Sequence, residues 1–540
     1  MITRSIKYYF MAGTVCCGLT AALTACSEWD DHYEDPVSVA GAESTLWQTI
    51  QQRSDLSDFR EVLSKTMVIK HHQKTDVSYA DMLDGNQTFT VLAPVNGSFN
   101  KDSVLRLLET SKGDSMVVRS FVGNHLLNSL TNNSSTPVES FLLNTKRVTI
   151  GNNQALNVPF RESNIKARGG LLHVLEQTLP YRSNLYEVMV NDPRYQQIGE
   201  QLSSYGKDEF DPKQSIEGEM IDGEQQYIDS VFIEHNTLLE RMRGLLADED
   251  SSYIFLAPVA DEWQRVWNEA MGYYRFDSTV ENGDSLQRFW ANYALLNDAI
   301  FSRTIQSSPA DSLITFEYNK RYPKYHVFHR PFDEGGILYG ATPTDYSNGT
   351  LYTTEKWPYT PQTTYQREVK SEGEATRLIL ENTLSTYNTR IHAADSVSEN
   401  EYLVITAAGL NSNWTIKFKL ENTLAGTYDV CAVVLPATVY NPSAQLKPNM
   451  FQAEIGYVDE KGDPKTYDCQ KTRFQTDPAR VDTVVLAEDF VLPVCNYGQT
   501  NSKFTVKLTC SILPRENARF SREMFLDCIY LRPKKNKTTD

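Results

Sequence analysis

TFTVLAPVNGSF (residues 88–99) and SSYIFLAPVADEW (residues 251–263) both run from β-branched and aromatic residues into Leu-Ala-Pro-Val. A large aromatic, Phe99 or Trp263, follows the Ala by six residues in each. The composition predicts a strand, closed by a Pro that donates nothing to a ladder. If the phrase marks a duplicated unit, its flanks must recur in the same order. Upstream, STLWQTI (44–50) is echoed by SNLYEVM (183–189), each with a leading Ser and apolar residues four apart. That pattern predicts a helix capped by its Ser. Downstream, GLLHVLEQTLPY (170–181) is echoed by GTLYTTEKWPYTP (349–361), which sets His173 against Tyr352. From Ser44 and Ser183, through Ala93 and Ala257, to His173 and Tyr352, the order is kept while the separation grows at each step. The first growth falls on DEFDPKQSIEGEMIDGEQQ (208–226), which reads as a polar surface loop present only in the second copy.

Between these marks, Asn96 or Asp261 is placed to cap a following helix, through DSVLRLLETS or EWQRVWNEAM. SFVGNHLLNSL (120–130) matches RFWANYALLND (288–298), which sets Asn124-His125 against Asn292-Tyr293. Short strands follow at KRVTIGN and ALNVPF, and a last strand runs from Gly169-Gly170 to Leu179-Pro180.

This order of marks resembles the fasciclin (FAS1) domain. Thr90-Val91-Leu92-Ala93-Pro94-Val95-Asn96 with Phe99 is similar to the family's first signature. Gly170-Leu171-Leu172-His173-Val174-Leu175-Glu176 with Leu179-Pro180 is similar to its second. Its intervening Tyr-His pair is represented by Asn124-His125, the Tyr being lost. In the second copy Ala260 replaces Asn96 and Tyr352 replaces His173. The resemblance implies two compact α/β domains, each a twisted β-wedge wrapped by helices, which together take up more than half of the chain. It also implies adhesion or binding, with Asn124 and His125 as candidate contact residues. Ala93, Pro94, Asn96, Phe99, Gly170 and His173 carry the signature. His173, among apolar neighbours, reads first as a hydrogen-bonded structural residue.

Beyond residue 366 the texture changes to short strands and turns. WTIKFKL alternates Trp414, Ile416 and Phe418 with Thr415, Lys417 and Lys419. Many such strands predict an antiparallel sandwich of the jelly-roll kind. TPQTTYQREVKSEGE (360–374), polar and interrupted by Pro, reads as the linker before it. The fold class is therefore α/β (α+β), tandem fasciclin-like domains followed by an all-β sandwich. The boundaries read as signal peptide 1–25, acidic tether 26–41, first domain 42–182, second 183–365 with insertions, sandwich 366–533 and tail 534–540.

The N-terminus carries Arg4 and Lys7 ahead of a short apolar run, a secretory signal. It ends in Leu23-Thr24-Ala25-Cys26, which resembles a bacterial lipobox with Cys26 as the lipidated residue. The tether SEWDDHYEDPVSVAGAE is acidic and lacks apolar periodicity. It resembles the surface-export signal of Bacteroides-group lipoproteins. That resemblance implies a lipid anchor in the outer membrane, protein partners, and an accessory role beside a SusC/SusD-like uptake complex. Loss of the signal's two positive charges takes the net charge from −17 to −19, which argues against nucleic acid as a partner. Asp-Ser/Thr tripeptides resembling the O-glycosylation acceptor of that group occur at Ser103, Ser115, Ser230, Ser278, Ser285, Ser312, Ser396 and Thr483.

Signs of catalysis are sparse. There is no phosphate-binding Gly loop, HExxH, GxSxG or EF-hand loop, and no Cys/His spacing of a zinc site. His71-His72 lie in a polar stretch and read as solvated. We expect no enzyme activity, cofactor or metal. The alternative is a glycan-binding protein that uses the sandwich as its carbohydrate module, with Trp414 and Tyr497 as candidate platforms, although Trp414 alternates with apolar Ile416 and reads first as core. Past residue 26 all five cysteines (Cys431, Cys469, Cys495, Cys510, Cys528) fall within the stretch read as the sandwich. Alternation predicts that most are unpaired and that Cys510 and Cys528 are buried inside it.

Overall fold

The computed structural model describes residues 43–70, 73–221, 224–302, 312–315, 326–392, 396–469 and 473–534. Cys26, the rest of the signal and tether, and His71-His72 lie outside the described residues. The chain divides into two compact units, residues up to 182 with 211–232, and residues 183–210 with 233–540.

In the first unit the strand Phe89–Pro94 is wholly buried and lies parallel to Gly170–Leu175, Leu92 opposite His173. Burial on both faces suits a parallel pair, which needs cover above and below. Val91 and Ala93 face a core with the helices Leu46–Gln51 and Ser57–Lys65, contributed by Leu46, Ile50, Phe59 and Val62. Leu92 and Leu175 face the other way, onto Val148, Ile150 and Phe160 of the antiparallel strands that complete a seven-stranded sheet. The last signature strand stops at Leu175, and Leu179-Pro180 lie beyond it.

The second unit contains the same arrangement. Tyr253–Pro258 is wholly buried and parallel to Gly349–Thr354, Leu256 opposite Tyr352. The equivalences extend to single hydrogen bonds. Arg168 N donates to Ser44 O at 2.8 Å, and Ser347 N to Ser183 O at 3.0 Å. A Cβ on Gly170 would stand 1.8 Å from Phe89 O; one on Gly349 would stand 2.2 Å from Tyr253 O. Both glycines are there because a neighbouring carbonyl occupies the space of a side chain.

Several local expectations are corrected. The caps of the opening helices are Thr45 and Asn184, not the serines before them, and each forms a reciprocal capping box, with Gln48 and Glu187. Asn100, not Asn96, caps the helix Lys101–Leu107, and Ala260–Tyr273 has no side-chain cap, so Asp261 is not one. Leu92 N donates to His125 O, and Leu256 N to Ala299 O. The counterparts of Asn124-His125 are therefore Asp298-Ala299. Asn292-Tyr293 sit earlier in the chain, inside the helix Gly283–Asn297. The excursion at 208–226 is not a loop but part of a two-stranded sheet, Gly206–Ile221 with Glu224–Asn236.

The remainder of the second unit is a sandwich of two antiparallel sheets. One has the strand order Ser385–Ile391, Glu401–Ala407, Met524–Pro533, Gly426–Leu435, Asp482–Leu492. The other runs Ile379–Thr383, Thr415–Lys419, Thr505–Cys510, Met450–Val458, Pro464–Asp468. Trp414, Phe418, Tyr428, Phe451, Phe504 and Leu526 fill the space between them.

The expected linker is built into the fold. Thr364, Gln366 and Ser371 are buried, and Val369–Glu372 pairs with Met524–Pro533 as a further strand. Ala425 N donates to Tyr273 O and Cys495 N to Arg275 O. Lys503 Nζ lies 2.6 Å from the buried Asp277 carboxylate. Leu424 and Cys495 belong to the apolar core of residues 185–359, which the sandwich thereby extends.

All five cysteines are buried and unpaired. Cys510 lies in the inter-sheet core, but Cys528 does not. A register shift opposite Val433-Val434 leaves Asp527 as an extra residue, so Ile529 and Leu531 continue the inward face begun by Met524 and Leu526. Cys528 is thereby turned to the opposite face, where Glu372 is its strand neighbour.

Candidate functional site

The signature residues hold the first unit together. Asn96 is exposed, yet its Oδ1 accepts from Asp58 N, and its Nδ2 donates to Ser54 O and Ser57 Oγ, each at 2.9 Å. It fixes the turn entering the helix Ser57–Lys65. Phe99 packs on Phe121 with ring centroids 4.6 Å apart. His173 is fully buried; its Nε2–H donates to Thr131 O at 3.0 Å and its Nδ1 accepts from Asn164 N at 3.2 Å. Phe160 stacks on its ring at 4.9 Å.

Asn124 and His125, expected as contact residues, are interior. His125 is 0% exposed and Asn124 2%. The acceptor Phe121 O at 2.7 Å places the proton of His125 on Nδ1, so Nε2 accepts from Leu179 N at 3.1 Å. Burial pushes the imidazole down to about 4, and it stays neutral at physiological pH. Asn124 Nδ2 donates to Leu179 O, and its Oδ1 accepts from Asn144. Together they tie the end of the helical segment at Phe121 to the segment after the second signature strand. Neither presents a polar atom to a partner.

Of the acceptor-like positions, Ser115, Ser278, Ser285, Ser396 and Thr483 are exposed and Ser103 is half-buried. Ser230 stands on the strand Glu224–Asn236. Ser312 is buried, 2.8 Å from His329 Nδ1, and in the folded chain it offers no free hydroxyl for modification. Neither candidate glycan platform lies open on the sandwich. Trp414 is 1% exposed and donates its Nε1–H to Arg522 O. Tyr497 is half-buried and packs edge-on against Trp290 at 4.8 Å.

A cavity of about 450 Å³ lies in the second unit, where the sandwich meets the helical layer over the second doubled strand pair. Its aromatic wall is Tyr274, with Tyr497 edge-on at 5.5 Å and Tyr365 tilted at 6.0 Å. The end of the helix Gly283–Asn297 supplies Asn297 and Asp298. His326 Nδ1 stands 2.5 Å from the buried Asp298 Oδ1. Arg367 donates Nε to Thr364 O and Nη2 to Thr363 O, and burial lowers its pKa. Asn297 is 8% exposed, and its buried Oδ1 has no hydrogen-bond partner.

Apart from Tyr497, none of these residues stands out in the sequence. Tyr365 and Arg367 fall in the stretch that reads as linker, and Asn297-Asp298 close the stretch RFWANYALLND without a mark of their own. His326 is distant from Asp298 along the chain. Among the described residues no group of three or more His, Cys, Asp or Glu is placed to hold a metal ion, and no helix is long and apolar enough to cross a membrane.

Comparison with known proteins finds the fasciclin domain at residues 55–180. A FAS1 domain pair from the insect cell adhesion molecule fasciclin I aligns at 10% identity over 59% of this chain and 97% of its own, with a TM-score of 0.19. A xylan-binding CBM22 domain aligns at 11% identity over 32% of this chain and 97% of its own, with a TM-score of 0.21. The CBM22-1–GH10 modules of a Clostridium thermocellum xylanase align at 9% identity over 32% of this chain, with a TM-score of 0.21. This chain spans 28% of the length of that xylanase structure. No curated protein sequence matches significantly.

Proposed function

We propose that this chain is a non-catalytic, lipid-anchored surface protein that binds other proteins or matrix through two fasciclin-type units in tandem. The observation that carries this reading is the repeated parallel strand pair, with Leu92 opposite His173 and Leu256 opposite Tyr352. The fasciclin match is confined to the first unit, and the second holds a diverged copy that kept its frame and lost the Asn and His of the signature, at Ala260 and Tyr352. The sandwich shares a unit with this second copy and acts as one body with it. Cys26 carries the anchor, the outer membrane is the site of residence, and a SusC/SusD-like uptake complex is the favoured neighbour. Because Asn124 and His125 are interior, partner contacts fall on other surfaces of these units. Cys26→Ala tests the anchorage. The variant should move to the soluble fraction and take up no radioactive palmitate; continued labelling would refute the lipid assignment.

The cavity beside Tyr274 favours a second reading, glycan binding. It relocates that function from the face of the sandwich to the junction of the sandwich with the layer before it.

A further inference from the structure

The cavity's lining narrows its ligand. Each of its carboxylates already has a basic neighbour: Asp298 stands beside the His326 imidazole, Glu368 lies 3.5 Å from Lys370, and Glu421 lies 2.7 and 2.8 Å from Arg377 and Lys419. Arg367 spends two of its donors on backbone carbonyls. Three carboxylates stand in the lining against Arg367 and Lys370, so an anion gains little there, and basic neighbours already at each carboxylate leave little for a cation; either would still have to be desolvated. What it offers instead is four tyrosine rings, Tyr274, Tyr293, Tyr365 and Tyr497, and a buried amide oxygen without a donor. An unmatched buried acceptor is costly, and a ligand hydroxyl placed against it recovers that loss. Rings supplying apolar faces beside isolated polar anchors suit a molecule that is apolar on its ring faces and hydroxylated at its rim. The volume, about 450 Å³, sits near the lower end of small-ligand pockets.

We propose that this cavity binds a short neutral saccharide of one or two rings, stacked on Tyr365 and Tyr497 and donating a hydroxyl hydrogen to Asn297 Oδ1. This rests on the glycan reading above and adds the place, the residues and the absence of charge. Trp290, in edge contact with Tyr497, lies close enough for its fluorescence to respond.

The test uses the full chain carrying Cys26→Ala. It is titrated with neutral mono-, di- and trisaccharides and with glucuronic acid, to about 10 mM, an order of magnitude beyond a millimolar Kd. Trp fluorescence and saturation-transfer NMR are read. The expected result is saturable binding of at least one neutral sugar, weakened at least tenfold by Asn297→Leu and by Tyr365→Ala. Tyr467→Ala, on the sandwich away from the cavity lining, should leave binding unchanged. Hydrogen exchange in the unsubstituted cavity should slow at residues 293–298 and 364–370 when the sugar is added, which serves even if a cavity variant does not fold. Sugar binding that leaves those segments unprotected would overturn the cavity assignment while the glycan reading stands. Binding of glucuronic acid alone would overturn the neutral class. No sugar binding at all would end both.

Discussion

Acid should loosen the first unit through His125. Its imidazole is fully buried, with both nitrogens engaged by Phe121 O and Leu179 N, and burial holds it down to about 4 against an ordinary value of 6.5. The unfolded chain therefore takes up a proton between pH 6.5 and pH 4 that the folded chain refuses. Stability from this group is fully present above about pH 6.5 and is lost as pH falls towards 4. The difference of about 2.5 pH units corresponds to roughly 3 kcal/mol in full, of which about 2 kcal/mol is lost by pH 5. His173 shifts in the same direction for the same reason, which steepens the dependence. The assay is hydrogen exchange under native conditions between pH 8 and pH 5, corrected for intrinsic rates and read on peptides covering 121–127 and 176–182. His125→Asn should lower the protection of these peptides at pH 8. It should also remove about 2 kcal/mol of the fall in protection by pH 5, because the proton uptake that drives that fall is gone. A parent protein equally protected at both pH values, or a variant with the parent's full pH slope, would refute the reasoning.

Gly170→Ala and Gly349→Ala should each destabilise their own unit by about 3 kcal/mol, because the new methyl meets the opposing carbonyl of Phe89 or Tyr253. Urea unfolding with unit-resolved exchange would show this; a neutral Gly349→Ala would contradict the strand register. The five thiols should resist iodoacetamide in the native protein, since burial raises Cys469 and Cys495 to about 12 and Cys510 to about 11. All five should alkylate on denaturation without reductant, and a disulfide found by mass spectrometry would contradict the structure.

The central strands were legible because burial on both faces leaves a continuous apolar run, and because Pro ends it. The repeated parallel strand pair was legible because the glycines and the Leu-Ala-Pro phrase answer to backbone geometry that tolerates little change. Helix caps were misplaced by a few positions at most, since Ser44, Thr45, Asn96 and Asn100 are all competent caps and only the chain's path selects among them. The pairing of Asn124-His125 with Asn292-Tyr293 failed because the second copy's helix runs on to Asn297, a difference that apolar spacing does not reveal. The bulge at Asp527 inverted the expected face of Cys528 and had no sequence mark. The cavity was invisible for a plainer reason, that its residues come from separate segments and meet only where the sandwich packs on the layer before it.

The measurement that bears most directly on the proposed function is recovery of the chain from mildly solubilised, cross-linked membranes of cells that produce it, followed by native electrophoresis and mass spectrometry. The account predicts a discrete complex in which the chain is joined to at least one membrane protein at fixed stoichiometry, absent when Cys26→Ala frees the chain. Migration of the anchored chain as a single uncomplexed species, with no partner cross-linked, would contradict it.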